Sequence, residues 1–177
     1  PGLLFYNRTE GLVSFKRYDE TERRFVLARR IPAAWRNWEN SWDEIKAADF
    51  NGDQVDDLVL YGQDGGILKV VYMNEDYSFG NHLFLKDRDE VFAGRTHFPQ
   101  LVIGNFGGGR LKKDILLYQQ DKCPDGQDCI VDEHGRGLRW TDNGRGGWDP
   151  KPKVYSNWGD DWTHVVPVEA KPTYYGS

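Results

Sequence analysis

The stretch Asp49-Phe50-Asn51-Gly52-Asp53-Gln54-Val55-Asp56-Asp57 sets oxygen-bearing side chains at loop positions 1, 3, 5 and 9, directly before an apolar run. Ca²⁺ takes six to eight oxygens at about 2.3–2.6 Å, and alternate positions of a tight loop can turn their oxygens toward one centre. The spacing therefore predicts a calcium loop in which Asp49, Asn51, Asp53 and Asp57 supply side chains and Val55 its carbonyl. An EF-hand would also begin D-x-N-x-D, but it needs Gly at position 6, Glu at position 12 and a helix on each side. Gln54 and Leu60 stand at those positions, and the flanks read as strands. The competing reading is an acidic turn that only faces water.

Other chemistry-bearing residues are sparser. None of the four histidines, His82, His97, His134 and His164, lies in a metal-ligand or nucleophile motif, and no G-x-S-x-G is present. Asp132-Glu133-His134 reads as a charged turn, and Asp160-Asp161 cannot be told from a solvated loop. A non-catalytic protein is expected. The two cysteines, Cys123 and Cys129, bracket Pro-Asp-Gly-Gln-Asp, and a disulfide closing that small loop is expected in preference to a zinc site. Oxidised cysteines and calcium loops both suit a secreted, extracellular protein. Trp35, Trp38, Trp148 and Trp158 fall in polar loops. Exposed indoles either pack against a neighbouring element or offer a flat face to a ligand such as a sugar ring, so these four are the candidate ligand-binding residues. Trp42, Phe98 and Trp162 open strands and read as core.

The elements that must position these residues repeat. Asp57-Leu-Val-Leu-Tyr61 recurs as Asp114-Ile-Leu-Leu-Tyr118 and, without its Asp, as Gly2-Leu-Leu-Phe-Tyr6. A second landmark agrees: Trp42 to Phe50, Phe98 to Phe106 and Trp162 to Ala170 share one pattern. The chain divides into repeats at about 2–56, 57–113 and 114–170, with a tail over 171–177. The first repeat predicts strands near 3–7, 12–18, 24–31 and 43–49; the second gives 58–62, 67–73, 82–86 and 100–105, with Asp64-Gly65-Gly66 as a hairpin turn. The expected fold class is all-β, with three four-stranded antiparallel blade-like repeats of a β-propeller.

The segment from Ala48 to Gly66 resembles the FG-GAP/VCBS repeat of integrin-α-type β-propellers, and weaker similarity runs from Gly2 to about Ala170. The resemblance implies a bladed β fold, structural calcium in loops joining one blade to the next, and an extracellular binding role; some relatives bind sugars, and a calcium-stabilised, carbohydrate-binding (lectin-like) module is the function expected here. A protein-protein interaction module, or an accessory domain cut from a larger secreted enzyme, is the alternative. The loop between Asn105 and Asp114 departs from the pattern: Arg110, Lys112 and Lys113 replace its carboxylates, and no metal is expected there. Three blades are fewer than a propeller needs for closure. Homo-oligomers completing a ring, or a longer protein, would resolve the shortfall.

Composition narrows the partners. A formal charge of −5 argues against nucleic acid. No apolar run approaches the length of a membrane span, so no membrane insertion is expected. The arginines Arg23, Arg24, Arg29 and Arg30 read as a solvated strand edge. A glycan or protein ligand is left as the expected partner.

Overall fold

A computed structural model describes residues 2–31, 38, 41–62, 67–86, 100–106, 113–119, 136–141, 148, 153–155 and 166–167. All regular structure among them is β, every pairing is antiparallel, and no helix is long and apolar enough to cross a membrane. The chain falls into two units, Pro1–His97 and Phe98–Ser177.

The first unit contains two sheets. β1 (Gly2–Asn7), β2 (Leu12–Asp19) and β3 (Arg24–Arg30) form one in the order β1-β2-β3. β4 (Glu44–Ala48), β5 (Asp57–Gly62), β6 (Ile67–Met73) and β7 (Phe79–Lys86) form the other, in sequence order. Their turns use side chains that imitate backbone. Asn7 Oδ1 accepts from Glu10 N at 3.2 Å, and Asp19 Oδ1 accepts from Thr21 N and Glu22 N at 3.0 Å. Such Asx contacts release the chain from the ladder and reverse it.

Alternation sends one face of each sheet into a shared core. Val13 and Phe15 of β2 meet Leu58 and Leu60 of β5 and Val71 and Met73 of β6, and Trp38 and Trp42 close the cluster. Burying a large apolar side chain contributes about 1.5–3 kcal/mol, so this cluster is the main glue of the unit. Pins at its margin are weaker. Arg8 pairs with Asp43 at 2.7 Å and Arg29 with Asp76 at 2.6 Å, both partly exposed. Arg24 pairs with Glu22, in keeping with a solvated edge at β3.

In the second unit, β8 (Gln100–Gly104), β9 (Asp114–Gln119), β10 (Arg136–Trp140) and β11 (Lys153–Tyr155) form a sheet in the order β11-β10-β9-β8. Ile115, Leu116, Leu117 and Tyr118 of β9 are buried together with Leu101, Val102, Trp140 and Trp148.

Two expectations change. The strand at 43–49 does not join the three strands before it. As β4 it crosses the acidic loop and pairs with β5, Ala48 opposite Asp57, and β8 pairs with β9 in the same way, Gly104 opposite Asp114. Each four-stranded sheet therefore takes its first strand from the end of the preceding sequence repeat, and the acidic loop connects neighbours within one sheet instead of joining two sheets. The repeated apolar strand is also not equivalent in all copies. β5 is buried along its whole length and lies inside its sheet, whereas β1 among the described residues lies at the edge of its sheet, with Leu3 43% and Phe5 45% exposed. Asp64-Gly65-Gly66 lies outside the described residues, although β5 and β6 on either side pair as a hairpin requires.

Candidate functional site

The acidic loop is organised by its own side chains. Asp49 Oδ1 accepts from Gly52 N at 2.6 Å and its Oδ2 from Gln54 N at 2.9 Å. Asn51 Oδ1 accepts from Asp53 N at 2.8 Å, and Asp53 Oδ1 accepts from Val55 N at 2.8 Å. Asn51 Nδ2 donates to Asp53 Oδ2 at 2.8 Å. The chain reverses through Gly52 at φ 86° and Gln54 at φ 71°. Gln54 holds the position where an EF-hand loop places Gly, so the left-handed turn forms here without glycine, at a cost of about 1–2 kcal/mol.

Asp57, predicted as a fifth ligand, is placed against backbone amides. Its side chain is fully buried at the head of β5, where Oδ2 accepts from Phe50 N at 3.1 Å and Oδ1 from Met73 N at 2.9 Å. It thus ties the loop to β6 from inside. Removal from water pushes its pKa up, against the pull of the two amides, and the Asp53 and Asp49 charges push it further, to about 6. With Asp57 turned inward, no three acidic, imidazole or thiolate side chains among the described residues form a metal-holding group. Asp49, Asn51, Asp53 and the Val55 carbonyl are the oxygens left to the loop.

The second loop repeats the latch without the acids. Asp114 Oδ2 accepts from Phe106 N at 2.9 Å, and Asp114 is buried. Phe50 and Phe106 occupy matching repeat positions, as do Asp57 and Asp114. Carboxylate-to-amide anchoring is therefore independent of whether the loop between carries metal-type residues. Sequence reasoning missed this duty, yet the signal was present: an Asp that persists where its acidic neighbours are replaced by Arg and Lys has work other than holding a cation.

The tryptophan candidates separate. Trp38 is buried, stacked on Phe79 with centroids 5.3 Å apart and planes 12° apart, and edge-on to Tyr6 and Trp42. Its backbone carbonyl also accepts the Tyr6 hydroxyl. Trp148 is buried in the second unit. Neither offers an open ring face, because an indole is large and apolar enough to be drawn into the core even from a polar stretch of sequence. Trp35, Trp158 and the pair Cys123 and Cys129 lie outside the described residues. Trp42 is buried, as its place at the start of a strand predicts.

A cleft of about 510 Å³ opens beside the loop. Buried Phe15, Leu58 and Met73 make its apolar side; exposed Asp53, Asp56 and Glu75 make its acidic side. Tyr77, at φ 62°, also lines it and stacks on Phe15 with centroids 5.5 Å apart. Residues held in such sparsely populated backbone regions concentrate at ligand sites. The fold and the site together define an all-β protein with an Asx-rich loop at a strand junction and an acidic, apolar-floored cleft beside it. Compared with protein-family models, with curated proteins and with solved structures, the chain finds no match.

Proposed function

We propose that the chain is a calcium-stabilised extracellular binding module, built as propeller-like blades of the FG-GAP/VCBS kind, that recognises a ligand and catalyses nothing. The observation that carries this reading is the loop from Asp49 to Val55, where backbone amides hold Asp49, Asn51 and Asp53 around one reversal while Asp49 and Asp53 crowd Asp57 electrostatically. A hard dication suits that donor set, since it takes side-chain and carbonyl oxygens and relieves the repulsion among carboxylates. Asp49, Asn51, Asp53 and the Val55 carbonyl would hold it, and Asp57 would anchor the loop behind it. Bound calcium would supply rigidity at the β4–β5 junction, stabilising the folded state by preferential binding. A disulfide between Cys123 and Cys129 and secretion belong to the same reading.

For the ligand, the cleft favours a protein over a glycan. The lectin reading needed open indole faces, and two of its four tryptophans are core. An apolar wall facing Asp56 and Glu75 instead suits the stem and head of a Lys or Arg side chain. Calorimetric titration of calcium into metal-stripped protein tests the first part: saturable binding lost in Asp53→Ala supports it, and heats indistinguishable from dilution reject it. Probing a basic-peptide library and a glycan array with the calcium-loaded protein decides the second. Selective retention of basic peptides is expected; a coherent set of bound sugars would return the assignment to a lectin.

A further inference from the structure

Asn51 and Gly52 form an Asn-Gly bond in the exposed part of the acidic loop. Asparagine is a chemically labile residue: the backbone nitrogen that follows it can attack its side-chain carbonyl and close a succinimide ring. Glycine in the next position puts no side chain in the way of that approach. Here the fold adds to the dipeptide's own reactivity. Asn51 Oδ1 accepts from Asp53 N at 2.8 Å and so closes an Asx turn. Asn51 Cγ and Gly52 N both belong to the ring that this bond closes, so electrophile and nucleophile are held on one tight reversal.

The other groups such an attack needs are in reach. Gly52 N donates to Asp49 Oδ1 at 2.6 Å, within the span of about 2.6–3.2 Å over which a general base takes a proton. The Asp53 N–H that meets Asn51 Oδ1 polarises the side-chain carbonyl and faces the oxygen on which charge builds as the ring closes. Asn51 Nδ2, the leaving nitrogen, donates to Asp53 Oδ2 at 2.8 Å. A Cβ at Gly52 would meet no atom within 4 Å, so this side of the peptide is open to water.

We propose that Asn51 is a self-modification site, at which Asp49 and Asp53 of the same loop drive deamidation to Asp and isoAsp. Asp49 takes the Gly52 amide proton as Gly52 N bonds to Asn51 Cγ. The Cγ–Nδ2 bond then breaks, and Nδ2 departs as ammonia with the proton that Asp49 gives back. Water opens the succinimide, its hydroxyl going to one carbonyl carbon and its hydrogen to the ring nitrogen. The balance is one water consumed and one ammonia released, with no oxidation or reduction. Opening at Cγ leaves Asp at position 51 and adds a carboxylate beside Asp49 and Asp53. Opening at the main-chain carbon routes the backbone through the side chain as isoAsp and lengthens a loop whose end is fixed by the Asp57 bond to Phe50 N. The reaction goes beyond the binding reading and does not rest on it.

The test follows the full chain at neutral pH with a chelator present, folded and in urea, by peptide mapping and enzymatic methylation of isoAsp. In urea, Asn51 and the second Asn-Gly bond of the sequence, Asn143-Gly144, set the rate of the bare dipeptide. In the folded chain Asn51 is expected to deamidate at least about tenfold faster than in urea, short of the about 10²–10⁴-fold of an enzyme's positioned base because this site is open to water. Asp49→Asn keeps an acceptor for Gly52 N but removes the base, and should bring the folded rate back to the urea rate. A folded Asn51 no faster than in urea would show that the Asp49 bond locks the peptide, and overturns the proposal. An undiminished rate in an Asp49→Asn chain with the circular dichroism of the parent also overturns it. Calcium is absent throughout, so failure here leaves the calcium titration untouched and the two readings stand or fall separately.

Discussion

Asp57 bonds Met73, its Oδ1 accepting from the Met73 amide at 2.9 Å across the β5–β6 hairpin, while its other oxygen holds the Phe50 amide at 3.1 Å. One buried carboxylate thereby fixes the end of the acidic loop to the strand beyond it. Asp57→Ala strands two buried N–H groups. Each unsatisfied group costs about 1–3 kcal/mol, so urea denaturation should report a loss of about 2–6 kcal/mol. An Asp57→Ala chain as stable as the parent would show that water takes over both bonds.

Asp57 also predicts a pH dependence. Its pKa is raised, by burial first, from 3.8 to about 6 in the folded protein. The folded state therefore holds this proton more tightly than the unfolded chain, and the stability linked to it is present below about pH 4 and lost as pH climbs through about 6. Asp76 is shifted the other way, chiefly by its bond from the Ser78 hydroxyl, and loses its contribution as pH falls. Comparing calcium-free wild type with Asp57→Asn isolates the first effect. The wild type should lose stability relative to the variant between pH 4 and 7. Parallel pH profiles would reject it.

Calcium should raise the melting temperature of the parent chain and leave Asp49→Ala and Asp53→Ala unmoved. At a hundredfold excess over the dissociation constant the expected gain is about 2.7 kcal/mol. Gln54 adds a control on the turn itself: with φ at 71°, a β-branched residue is strained there and glycine is not, so calcium affinity should rank Gln54→Gly at or above wild type and Gln54→Val below it.

Trp38→Ala should behave as a core deletion. Removing an indole packed among Tyr6, Trp42 and Phe79 is expected to cost about 3–5 kcal/mol in chemical denaturation. A near-neutral Trp38→Ala would place the ring outside the core.

Strand positions were legible because alternating apolar residues and Asx or Gly turns act locally: Ile67–Met73 matches its predicted span, and most other strands fall within a residue or two. Sheet membership was not. The residues of β4 carry the same pattern whether they pair with β3 or with β5, and only the hairpin geometry of the acidic loop decides. Trp38 misled for a related reason. Arg36, Asn37, Glu39 and Asn40 around it signal a loop, but they do not report that Phe79, far along the chain, supplies a matching ring. The acidic loop itself was legible as a motif, while the inward turn of Asp57 depends on the Met73 amide, a contact across a hairpin that spacing alone does not encode.

The latch at Asp57 and Asp114 separates how a loop is fastened from what it contains. One fastened loop is rich in carboxylates and the other in cations, yet both close on a phenylalanine amide by the same bond. Such a joint behaves like a socket with interchangeable inserts. Residues between the two fixed ends are free to diverge without loosening the strands, which makes the junction a tolerant place for new recognition chemistry to arise. It also makes the Asp49–Asp56 insert a transplantable cassette for the strand junction before β9.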